Sequence, residues 1–124
     1  MDFKGIIIEE SLDEKSVLRG LRITKTEVEK VTEEFNTPWL ERWTLHHVVV
    51  PEKDVERVVN EIRKAISLGH KSAWFANLEN NETSFIIFKD KVFKYRKGDK
   101  KEMRKVFEFG TSIGIPAHQL RAYA

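Results

Sequence analysis

Two periodicities divide the chain. Between Glu41 and Val50 the pattern has period two, so Trp43, Leu45, His47 and Val49 share one face of a strand and Thr44, His46, Val48 and Val50 the other. From Glu52 to Leu68 the period changes: Val55, Val58, Val59, Ile62, Ala65 and Ile66 recur at helical spacing and form one apolar stripe. Pro51 suits the junction, because its fixed φ fits a first helical turn and its missing N–H is not needed there. Glu52 and Asp54 favour the positive end of the helix dipole, and Gly69 is placed to end the helix.

The flanking segments read less evenly. Lys4–Glu10, with Ile6, Ile7 and Ile8 in a row, predicts a strand covered on both faces. Ser11 and Glu14 have the spacing of a capping box, which predicts one or two helical turns ended by Gly20. Leu21 to Val31 alternates, but the phase breaks between Ile23 and Val28, which predicts a strand carrying a bulge. Thr32–Leu40, with Asn36, Thr37 and Pro38, is a loop, and Lys71–Leu78 is a further strand. After a turn at Asn80–Glu82, Thr83–Phe88 and Lys91–Lys97 form a hairpin about Lys89-Asp90 or Asp90-Lys91. Ile86, Phe88, Phe93 and Tyr95 then lie on one side, with Phe85, Ile87, Val92 and Lys94 on the other. Both sides are apolar, so a dimer interface or a further covering segment is expected there. Asp99 and Glu102 form a second capping box, opening a helix with Met103, Val106, Phe107, Gly110 and Ile113 on its stripe. Gly114 ends that helix, and Ile115-Pro116 turns the chain into a short tail with room for one helical turn.

Strands joined by short turns favour antiparallel pairing. The expectation is a single α+β domain over residues 1–124. Its architecture would be a two-layer sandwich, an antiparallel sheet of about six strands with two main helices on one face. The order strand, helix, strand, strand, helix from Trp43 onward is partly ferredoxin-like.

Composition narrows the chemistry. With 124 residues the chain is long enough to bury a core without staples, and it has no cysteine, which excludes disulfides, thiolate metal sites and cysteine nucleophiles. Eight Phe, three Trp and two Tyr argue against disorder. The first twelve residues carry acids where a signal peptide needs a basic start, and no apolar run reaches membrane-spanning length. Cytoplasmic residence is the expectation. The formal net charge of +2 is uneven: residues 83–124 hold ten Lys/Arg against four Asp/Glu, a net of +6. The excess centres on Lys89–Lys105, where Lys94, Arg96, Lys97 and Lys101 are candidate polyanion ligands. A solvated, lysine-rich hairpin tip and helix face explains the same pattern and is preferred, so nucleic acid is the least favoured partner.

No phosphate loop, nucleophile elbow or HExxH pair is present, and no cofactor is implied. His46 and His47 are strand neighbours whose rings point to opposite faces, so they cannot jointly hold one ion, and no metal site is expected. Glu9 and Glu10 diverge for the same reason. His47, in phase with Trp43, is read as a core or cleft histidine, and Trp43 and Trp74 as ring residues of the core or of a ligand-binding wall.

The segments Lys4–Leu12, Ser16–Leu21, Val48–Pro51, Val92–Asp99 and Gly114–Pro116 together resemble a family of small conserved prokaryotic single-domain proteins of unknown function. The resemblance covers nearly the whole chain. It implies a compact cytosolic domain and assigns no catalytic residue. A non-catalytic binding or regulatory domain, with a homodimer and a small-molecule ligand as candidate partners, is therefore the first expectation. A small enzyme using His47 or His46 as general base beside Trp43 and Trp74 is the alternative.

Overall fold

The computed structural model describes residues 1–30, 42–67, 74–89 and 91–123. Six strands and two α-helices follow one another as β1 (Phe3–Ile8), β2 (Arg22–Lys30), β3 (Arg42–Val50), α1 (Val55–Ala65), β4 (Ala76–Glu79), β5 (Thr83–Ile87), β6 (Val92–Arg96) and α2 (Lys100–Ser112). Short 3₁₀ segments occupy Glu9–Ser11, Lys15–Gly20, Glu52–Asp54 and Ala117–Tyr123. The strands form one sheet in the order β2-β3-β1-β4-β5-β6, and every pairing is antiparallel. This is the expected α+β class.

Because β3 and β4 both run antiparallel to β1, they are parallel to each other, and α1 carries the chain across β1 between them. That split β-α-β unit is the ferredoxin-like part of the architecture. Val55, Val58, Val59, Ile62 and Ala65 of α1 are buried, as their spacing predicts. They pack on the face that carries Phe3 and Ile7 of β1, Val48 and Val50 of β3, Leu78 of β4, and Phe85 and Ile87 of β5. At the end of α1 the backbone turns extended at Ile66, which bridges Leu12. The Ala65 carbonyl, left open by the helix end, accepts from Asp13 N–H at 2.8 Å.

The second helix lies elsewhere than expected. Along β5 the side chains alternate, and Ile86 belongs with Phe88, Tyr95 and Val106 of α2 in a second cluster. The two main helices therefore cover opposite faces of the β4–β6 half, instead of one face of the whole sheet. Phe88 stands at the centre of the second cluster, with ring centroids 4.7 Å from Phe109 and 6.0 Å from Phe93. The doubly apolar hairpin is thereby covered within the chain: Phe85, Ile86, Ile87 and Phe88 are buried without a second copy.

Local expectations fared unevenly. The bulge in β2 is present, with the register shifting between Ile23 and Lys25. The Asp99 cap is present, its carboxylate accepting from Glu102 N–H at 3.2 Å, and Gly114 ends α2 with φ +99°. Ser11 is not the expected cap: its hydroxyl donates to the Ile8 carbonyl at 2.6 Å, and the Glu14 side chain accepts from Ser16 N–H instead. Ile113 has left the helical stripe, being the exposed residue at the end of α2. The loop expected at Thr32–Leu40, Gly69 and most of the first half of the Lys71–Leu78 strand lie outside the described residues.

Gly5 sits where β1 is squeezed between its neighbours. A Cβ there would lie 1.8 Å from the backbone oxygen of Asn77, a strand partner that cannot step aside. At Gly110 the atoms nearest a Cβ would be those of the Leu120 side chain, its Cδ1 closest at 2.5 Å. Gly5→Ala should therefore cost about 3 kcal/mol or more in chemical denaturation, whereas Gly110→Ala should cost less because Leu120 can rotate and the helix gains propensity. Equal costs at the two sites would contradict this reading of the β1–β4 contact.

Candidate functional site

Among the described residues the sheet is covered on its second face only in part, which leaves a groove. On the α2 side, α2 and the Ala117–Tyr123 turn stand over β4–β6, and the turn adds Gln119 to the rim of the uncovered part. Its floor is Ile6 and Ile8 of β1 with Asn77 of β4, and its end wall is Trp43 of β3 with Trp74 and Phe75, which lead into β4. The volume is about 280 Å³. Trp43 and Trp74 meet with ring centroids 5.2 Å apart and planes tilted by 57°, an arrangement favourable to two indole quadrupoles. Trp74 is buried and contributes to the core, and Trp43 is half-buried against it. Trp74 is thus a core residue that also lines the groove, and Trp43 lines it beside Trp74.

His47 does not line this groove. It borders an adjoining depression with Lys4, Thr24, Val49 and Glu79, which shares Ile6 and Asn77 with the groove. The three candidates His47, Trp43 and Trp74 therefore border one uncovered face, with the histidine at the opposite end from the indoles. His47 Nε2 is 2.7 Å from Glu27 Oε1, and Glu27 also pairs with Lys25 at 3.2 Å.

His46, one residue away, faces the α1 side as strand alternation requires. It is buried, and both ring nitrogens are engaged: Nε2 with Glu9 Oε1 at 3.1 Å and Nδ1 with Thr26 Oγ1 at 2.9 Å. An ionised carboxylate can only accept, so in the neutral ring Nε2 carries the proton and Nδ1 accepts from the Thr26 hydroxyl. Glu10 turns away from Glu9 and accepts from both N–H and Oγ1 of Thr44, at 2.6 and 2.8 Å. The Glu9–His46–Thr26 chain was not anticipated from sequence. Its signal was present in part, since alternation put His46 on the α1 face. Its partners come from a strand-end turn and from the far side of a bulge, which no local spacing specifies.

The basic segment does not converge. Lys94 lies on the α1 side, bonded to Glu56 at 2.8 Å and 5.4 Å from the Phe85 ring centroid. Arg96 follows it on the same side of β6, and Lys97 pairs with Glu79 at 3.5 Å. Lys101 is exposed on α2, which covers the opposite face. Phe93 and Tyr95 point under α2, away from Lys94 and Arg96. Among the described residues no group of three or more His, Asp or Glu could hold a metal ion, and no helix is long and apolar enough to cross a membrane. No protein-family model, curated protein or solved structure matches the chain.

The Lys25 ammonium beside Glu27, with the His47 ring as a second donor, holds the Glu27 carboxyl below the ordinary glutamate range. In Lys25→Met the titration midpoint of Glu27 should move upward, toward the ordinary range, while that of Glu14 stays in place. Carbon-detected NMR of the side-chain carboxyls reads both. A Glu27 midpoint unmoved by Lys25→Met would assign its depression to another group.

Proposed function

We propose that the protein is a non-catalytic binding domain whose ligand is a small, flat, largely apolar molecule seated against Trp43 and Trp74. The observation that carries this reading is the indole pair, brought from two separate segments to the end of an uncovered apolar trough with the Asn77 amide in its floor. Recognition sites of this kind combine apolar walls with a few polar groups that fix orientation. At about 280 Å³ the trough lies just below the usual range of ligand-site volumes, which favours one or two fused rings. The polar end of such a ligand would point toward His47 and Lys4 through the shared residues Ile6 and Asn77.

Indole, adenine and benzoate are suitable probes. At least one should quench the tryptophan fluorescence and raise Tm in a dose-dependent way, since a hundredfold excess over Kd stabilises by about 2.7 kcal/mol. Trp43→Ala should weaken both responses about tenfold or more, as expected for losing one stacked ring. Absence of any response, or full retention in Trp43→Ala, removes this reading.

A second reading, acyl transfer, is favoured by the hydrogen-bonded Glu9–His46–Thr26 chain alone. Here His46 would take the Thr26 hydroxyl proton as that oxygen attacks an ester carbonyl, then return it to the departing alkoxide, leaving an acyl-Thr26 ester. This places the base on the face opposite the indoles, so the His/Trp-lined cleft expected of an enzyme is not the arrangement it would use. Intact-mass measurement after p-nitrophenyl acetate treatment tests it: an acetyl adduct on Thr26 that disappears in His46→Ala is required, and an unmodified Thr26 ends the reading.

A further inference from the structure

We propose that β2 is a self-complementary edge through which two copies of this chain join into one continuous antiparallel sheet. The proposal is independent of the groove. Among the described residues β2 is an end strand with a pairing partner on one side only, so its outward backbone N–H and C=O groups are available for another strand. It is also exposed along nearly its whole length: Val28 is 61% and Ile23 39% accessible, among the most exposed large apolar side chains of the described residues.

Edges are usually protected by bulges and charges, and β2 has both. The test of a docking edge is whether a partner exists for which these cease to be obstacles. Pairing with β3 assigns each β2 residue to a face. Ile23, Thr26 and Val28 lie opposite Val48, His46 and Thr44 on the α1 face, and Arg22, Lys25, Glu27 and Glu29 lie opposite Val49, His47, Leu45 and Trp43 on the groove face. Ile23 and Val28 share a face despite their odd separation because Thr24 is the extra residue of the bulge.

Consider two copies of β2 antiparallel about a two-fold axis at Thr26. Lys25 then faces the partner's Glu27. Beyond the bulge, Ile23 faces the partner's Val28 and Arg22 faces the partner's Glu29. Each pair occurs twice by symmetry. Every pair is also matched in face, apolar with apolar on the α1 face and cation with anion on the groove face. The bulge fits as well: Ile23 and Lys25 oppose two consecutive residues of the partner, just as they oppose Val48 and His47 of β3. The mutual complementarity of charges, exposed apolar residues and bulge argues for a second copy of this chain as the occupant. Cross-strand pairs of these types are the ones that stabilise antiparallel edges.

Arg22→Glu puts two like-charge pairs into the interface, and the double variant Arg22→Glu/Glu29→Arg restores them with reversed polarity. Sedimentation and light scattering on the full chain should give twice the 14.6 kDa chain mass as concentration rises. The single variant should weaken the dimer about tenfold or more, and the double variant should recover most of the loss. Thermal unfolding of the isolated variants checks that each is folded. A strictly monomeric parent at millimolar concentration overturns the proposal. A dimer indifferent to Arg22→Glu places the interface elsewhere, and failure of the double variant to recover rejects this register.

Discussion

The placement of β1 between β3 and β4 is the constraint on which the remaining structure depends. It needs two neighbours at close range, and at Gly5 the backbone of β4 comes nearer than any side chain would allow. Once β1 is inserted, β3 and β4 must be parallel and separated, so their connection has to cross the sheet, and α1 is that crossing. The apolar stripe of α1 then meets Phe3, Ile7, Val48, Val50 and Leu78 together, closing the larger of the two cores. Because β1 pairs only with strands much later in the chain, these contacts are non-local, and the domain belongs among slower-folding topologies.

The second organising feature is the inequality of the two faces. On the α1 side one helix covers most of the sheet. On the other side, among the described residues, α2 and the C-terminal turn cover β4–β6 alone, where Ile86, Phe88, Phe93 and Tyr95 demand it. The remaining floor keeps apolar residues, Ile6 and Ile8, beside polar ones, Asn77 and His47. A face wholly apolar would have required another layer; a face wholly polar would offer nothing to bind. This mixture is the feature on which the proposed binding function rests.

Much of this was legible in the sequence, and the parts that were not share a cause. Period-two alternation over Trp43–Val50 correctly separated His46 from His47, and the helical stripe of α1 appeared residue for residue in the core. The phase break between Ile23 and Val28 located the bulge. The alternation also showed that both sides of the hairpin need cover, but not that α2 supplies one of them, because a stripe specifies that a helix is buried and not against which face. The Ser11 cap failed since Ser11 found a carbonyl three residues back, a local competitor to the helical arrangement. For the site, Trp43 and Trp74 were identifiable as ring residues of the core or of a wall, yet their contact joins two segments far apart in sequence. The Glu9–His46–Thr26 chain was hidden for the same reason: its register depends on three strands.

The bulge in β2 makes this strand sensitive to length in a way that substitutions do not reveal. Removing the single residue Thr24 would change no core side chain, since Thr24 is exposed. It would leave the faces as they are as well, because Ile23 and Lys25 already stand opposite the consecutive residues Val48 and His47 and would close into a regular ladder. Removing the paired residue Val28 instead makes one arm slide by one against β3, which exchanges the faces of the residues that move. Were Thr24 to fill the ladder, Thr26 would leave the His46 ring and Lys25 would arrive there. A codon deletion at Val28 would thus resemble many simultaneous substitutions, while one at Thr24 would cost only the bulge and the bond that the Thr24 hydroxyl donates to the His47 carbonyl.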